Sequence, residues 1–82
     1  MKYGTHTINK ALLADLFKKF GYEEFTYDDA YAIYSAKWQK MNESTKKRNV
    51  RNSLVGATDE GLLTRVRPGV YVFNMAWYEY IV

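Results

Sequence analysis

Residues 42–63 read NESTKKRNVRNSLVGATDEGLL, and the reading of this stretch decides the fold. Val50, Leu54 and Ala57 recur at helical spacing and form one narrow apolar stripe. At about 100° of rotation per residue, Thr45, Arg48, Asn49 and Asn52 gather on the opposite side. Lys46 and Lys47 flank the stripe, where long stems cover apolar neighbours while the ammonium stays in water. The pattern predicts a helix over about 44–60. Asn42 or Ser44 can cap its start, and Gly61 supplies the residue type that ends such helices. Gly56 lies inside it, at a cost of about 1 kcal/mol relative to Ala. That glycine either admits a closely approaching backbone or marks an early end.

The outer face has a definite chemistry. Arg pairs with guanine, Asn with adenine, and Thr with phosphate or the thymine methyl, so Thr45, Arg48, Asn49 and Asn52 form a set suited to base edges. A polar face rich in Lys and Asn is equally the composition of plain solvated surface. The rest of the chain has to separate the two readings.

Upstream, Ile8, Leu12, Leu13, Leu16, Phe17 and Phe20 line one side of a first helix, about 7–20, capped by Thr7 and stopped at Gly21. A second helix, about 26–38, starts with Thr26 as cap and Asp29 three residues on as its box partner. It carries Ala30, Ile33 and Tyr34 inward, with Trp38 one turn further. Glu23, Glu24, Asp28 and Asp29 crowd its start, where the helix dipole favours acids. No histidine or second carboxylate cluster converges on them, so neither a metal site nor an acid–base pair is expected there. Lys37 and Lys40 then add positive charge on the way into the third helix.

After Gly61 the period changes from helical to alternating. Leu62–Val66 reads as a strand, Arg67-Pro68-Gly69 as a turn and Val70–Phe73 as the returning strand. Pro68 and Gly69 suit the central positions of a type II turn, and Arg65 and Arg67 stand at or beside the hairpin tip. The tail, 74–82, is strongly aromatic and fits either a strand or a short helix. It is too apolar for a free terminus. It either folds back over the first helix to complete the core or pairs with its copy in a second chain.

Eighty-two residues suit one α+β domain with a single modest core. There is no cysteine, hence no disulfide framework or thiolate metal site, and the lone His6 has no partner of ligand type nearby. No run approaches the ~20 apolar residues that span a bilayer. The opening Met-Lys-Tyr-Gly lacks the apolar region of a signal peptide, so a cytoplasmic location is expected. The net charge of +3 is unevenly spread. Residues 37–67 hold eight bases against three acids, whereas residues 1–36 hold four against five. Basic charge concentrated on one part of a small domain suits a polyanion.

Three helices followed by a hairpin with basic residues at its tip resemble the winged helix-turn-helix superfamily. The residues that carry the resemblance are Val50, Leu54 and Ala57, then Asp59-Glu60-Gly61-Leu62-Leu63-Thr64-Arg65, then Arg67-Pro68-Gly69 as the wing. It spans about 7–73, with 62–73 as the wing. The resemblance implies a third helix in the DNA major groove and a wing resting on backbone or minor groove. Thr45, Arg48, Asn49 and Asn52 would then read bases. Lys37, Lys40, Lys46, Lys47, Arg51, Arg65 and Arg67 would hold the backbone. Double-stranded DNA is the expected partner, with a homodimer through the tail as an open question, and no enzyme activity, cofactor, small-molecule ligand or membrane is expected. A small regulator of transcription acting by occupancy fits this reading. Since winged helices also serve as protein–protein modules, a partner in the transcription machinery is the alternative.

Overall fold

Three of the helices begin where a short polar side chain accepts a first-turn amide, and these caps set the framework. The computed structural model describes residues 8–81. In order these are α1 (Lys10–Phe20), β1 (Phe25–Thr26), α2 (Tyr27–Lys37), α3 (Glu43–Asp59), β2 (Leu63–Arg67), β3 (Val70–Phe73) and α4 (Ala76–Ile81). They form a small α+β domain with four helices and a three-stranded antiparallel sheet. Asn9 Oδ1 accepts from the Leu12 amide at 3.1 Å, so α1 starts at Lys10 and not near residue 7. Thr7, expected as that cap, and His6 lie outside the described residues. At α2 the Thr26 hydroxyl accepts from the Asp29 amide while the Asp29 carboxylate accepts from the Thr26 amide, the expected capping box. Asn42 Oδ1 accepts from the Thr45 amide at 2.8 Å, so Asn42, and not Ser44, caps α3, which runs one residue earlier at each end than expected.

α3 ends at Gly61, which takes φ 81, a left-handed backbone that costs glycine nothing. The Leu62 amide donates to Ala57 O at 2.8 Å and the Gly61 amide to Thr58 O at 3.1 Å. Together these satisfy two terminal carbonyls and turn buried Leu62 back onto the helix it leaves. The helix passes straight through buried Gly56, which therefore does not end it.

The sheet order is β1-β3-β2. Leu63 pairs with Phe73 and Thr64 with Val72, and Gly69 takes φ 78 in the connecting turn, as the third position of a type II turn requires. The register slips between Arg65 and Arg67, leaving Val66 as a bulge. β1, absent from the reading of the sequence, pairs Phe25 with Tyr71 and Thr26 with Val70, which ties the start of α2 to the hairpin.

The core lies between the sheet and the three longer helices. Leu12, Leu13 and Leu16 of α1, Val50, Leu54 and Ala57 of α3, and Phe25 and Phe73 of the sheet belong to one buried cluster. The tail forms a short helix whose Trp77 is fully buried, its ring centroid 5.2 Å from Phe73 and 6.2 Å from Phe17. No described helix is long and apolar enough to cross a membrane.

Candidate functional site

α3 carries the site, so what it buries decides what it can offer. Val50, Ser53, Leu54, Gly56 and Ala57 are buried, an arc wider than the expected stripe and extended toward the side of Asn49. Ser53 is enclosed because α1 begins against it: the Asn9 amide donates to Ser53 Oγ at 3.2 Å. α2 crosses the first half of α3, where the Tyr27 hydroxyl donates to Lys47 O at 3.1 Å and Lys46 Nζ donates to Ser35 Oγ at 2.9 Å. Burial raises the Tyr27 pKa from 10.0, with the nearby Arg51 charge pulling the other way, so the hydroxyl stays protonated and keeps its donor role.

Asn49 is the residue displaced from its expected role. Its amide donates to the Tyr34 hydroxyl at 3.0 Å and lies 3.5 Å from Met41 Sδ, which the Tyr34 hydroxyl also approaches. The side chain is thus held in the seam between α2 and α3 and does not belong to the outer face. Its partners lie 15 and 8 residues away in sequence. Asn49→Ala removes a donor from a buried tyrosine hydroxyl, so a loss of about 1–2 kcal/mol of stability is expected. Thermal unfolding of the variant measures it, and an unchanged melting temperature would return Asn49 to the outer face.

The remaining outer residues stay together. Lys47, Arg48 and Arg51 are exposed along one side of α3, with Thr45 and Asn52 half-buried at its margin. Asn52 borders a hollow of about 240 Å³ shared with Asn9, Tyr34, Asn49 and Ser53, so it sits between this face and the start of α1. The hairpin continues the surface. Arg65 pairs in register with the inward Tyr71 and so lies on the α3 side of the sheet. There Val55, Thr58, Asp59, Arg65 and Tyr71 line a hollow of about 250 Å³ between helix and hairpin.

The cations divide by what already holds them. Among the described residues no acid comes within ion-pair distance of Lys40, Lys47, Arg48, Arg51 or Arg65. Lys46 is engaged by Ser35. Arg67 pairs with Glu24 at 3.1 Å, and Lys37 pairs with Asp15 at 3.5 Å while standing over the Trp38 ring. Exposed pairs of this kind contribute about 0–1 kcal/mol, little enough for another anion to displace the acid. The pairing of Arg67 with Glu24 links the second hairpin arginine to the connection before β1, which the spacing of 43 residues hides from any local reading.

This arrangement can bind an extended anion along α3 and across to β2. Among the described residues no cluster of three His, Cys, Asp or Glu side chains could hold a metal ion. The chain matches no protein-family model, and comparison with curated proteins and with solved structures gives no significant match.

Proposed function

We propose that this chain binds double-stranded DNA as a winged helix-turn-helix domain and regulates transcription by occupying its site. α3 enters the major groove and the β2–β3 hairpin rests on the backbone or in the minor groove. The observation that carries this reading is the exposed row of Lys47, Arg48 and Arg51 on α3, with Arg65 of the hairpin beside Val55, Thr58 and Asp59 further along the same helix, and no acid within ion-pair distance of any of the four cations among the described residues. The element order and the β1-β3-β2 sheet support it, since they place the hairpin beside the exposed side of the helix. Arg48, Asn52 and Thr45 stand where side chains reach base edges, and Lys40, Lys47, Arg51 and Arg65 where they reach phosphates.

Binding through four phosphate contacts releases condensed counterions, so the logarithm of affinity falls with the logarithm of salt at a slope of about −3.6. Electrophoretic mobility with mixed-sequence duplex at several salt concentrations measures that slope, and selection from the bound pool then gives the preferred sequence. An affinity for duplex that ignores salt, or no retardation even at low salt, defeats the proposal and leaves a protein partner as the reading of this face.

A further inference from the structure

Arg67 stands on the same strand as Arg65, at the turn of the hairpin, yet the two arginines are held differently. Among the described residues no acid lies within ion-pair distance of Arg65, whereas Arg67 Nη2 lies 3.1 Å from Glu24 Oε1. The sheet order decides what this pair does. β3 lies between β1 and β2, so a bond from Arg67 of β2 to Glu24, just before β1, passes across the middle strand. The register gives the face. Phe25 and Tyr71 pair and are both buried, so their neighbours along the strands turn to the other side of the sheet. Glu24 precedes Phe25, and Arg67 pairs with Val70, which precedes Tyr71, so both belong to that outer side. Arg65 pairs with Tyr71 itself and lies on the α3 side. Glu24 thus draws one hairpin arginine across the sheet and away from the helix that carries Lys47, Arg48 and Arg51.

The acids around β1 are not equivalent. Glu23 and Asp28 are exposed and pair with no base among the described residues. The Asp29 carboxylate accepts from the Thr26 amide. Among the described residues, Glu24 alone lies within ion-pair distance of a hairpin base. Both ends of the pair meet water, with 59% of the Arg67 side chain and 47% of the Glu24 side chain exposed. A pair this open changes an affinity a few-fold and does not switch it on or off. Paired, the two side chains bring no net charge to a polyanion; unpaired, Arg67 brings one.

We propose that Glu24 competes with the duplex for Arg67, so that the four phosphate contacts of the parent leave this arginine out. The inference rests on the reading of α3 and the hairpin as the nucleic-acid surface, and it adds the acid that sets how tightly that surface holds.

Duplex binding at several salt concentrations compares the parent with Glu24→Gln, Glu23→Gln, Arg67→Ala and the double variant Glu24→Gln/Arg67→Ala. Glu24→Gln is expected to tighten binding about fivefold and to steepen the salt slope by about 0.9, the amount of one further phosphate contact. Glu23→Gln makes the same change of charge one residue away but frees no base. Its affinity should move by less than about twofold, with the slope unchanged. In the Arg67→Ala background, Glu24→Gln should likewise leave the slope where it was. Retention on immobilised heparin, a sulfated polyanion without bases, ranks the same variants with no DNA present. There Glu24→Gln should elute at higher salt than both the parent and Glu23→Gln. All three side chains are exposed, and circular dichroism of each variant confirms that it stays folded. The proposal is overturned if Glu24→Gln and Glu23→Gln act alike in both assays, or if Glu24→Gln keeps its full effect without Arg67. A parent that heparin retains and duplex does not would defeat the DNA reading, and the order of elution from heparin would still decide whether Glu24 holds Arg67 back.

Discussion

Trp77→Ala is expected to lower the unfolding free energy by about 3–5 kcal/mol, the range found for large buried aromatics cut back to a methyl. Trp77 is fully buried. Its indole packs on Phe73 of β3 and Phe17 of α1, and Phe17 in turn meets Phe73 edge-on at 5.2 Å. Removing it opens a cavity where sheet and helix join, and a domain of this size holds only about 5–15 kcal/mol in all. The melting temperature should fall by at least about 12 °C. Tyr78→Ala, one residue on and 60% exposed, should stay within about 0.5 kcal/mol of the parent. Urea unfolding of both variants separates them. A Trp77→Ala chain as stable as the parent would mean that α4 is not anchored to this core.

What could be read in the sequence follows the range of the interaction concerned. The box at the start of α2 needs only Thr26 and Asp29, three residues apart, and the stop after α3 needs only Gly61, so both were legible. The Val50, Leu54 and Ala57 seam was legible because it repeats within one helix. β1 was not. It is two residues long, overlaps the cap of α2 and exists only because Tyr71 and Val70 arrive from over forty positions later. Periodicity has nothing to work on in so short a strand.

The site shows the same division more sharply. Thr45, Arg48, Asn49 and Asn52 look alike on a helical projection, since all are polar and all avoid the Val50 and Leu54 seam. Tyr34 and Met41 break that equivalence by taking Asn49 into the seam with α2. Similarly, charge counting treats the basic residues of the second half as one class, whereas Glu24, Asp15 and Ser35 partly engage Arg67, Lys37 and Lys46. Sequence locates the cationic part of the chain, and long-range contacts decide which of its cations face outward unpaired.

That sorting sets apart two arginines three residues from each other on α3. Arg48 lies at the centre of the exposed side, with Thr45 and Asn52 beside it, and it can form the bidentate pair with guanine that a lysine cannot. Arg51 stands closer to Tyr27 and the start of α2, where a duplex backbone would cross. Arg48→Ala is therefore expected to cost about 1–3 kcal/mol on the preferred site, roughly 5- to 150-fold, and to relax the preference at one base position. Arg51→Ala should weaken every sequence alike and flatten the salt slope by about 0.9. Neither should alter thermal stability by more than about 0.5 kcal/mol, because both side chains are exposed and neither has an ion-pair partner among the described residues. Binding measured on the selected duplex and on a scrambled one, each at two salt concentrations, distinguishes the two effects. If Arg48→Ala lowers affinity equally for both duplexes, α3 holds the backbone without reading the sequence. If Arg51→Ala leaves the slope unchanged, the duplex does not cross the start of α2, and the docking proposed for α3 is wrong.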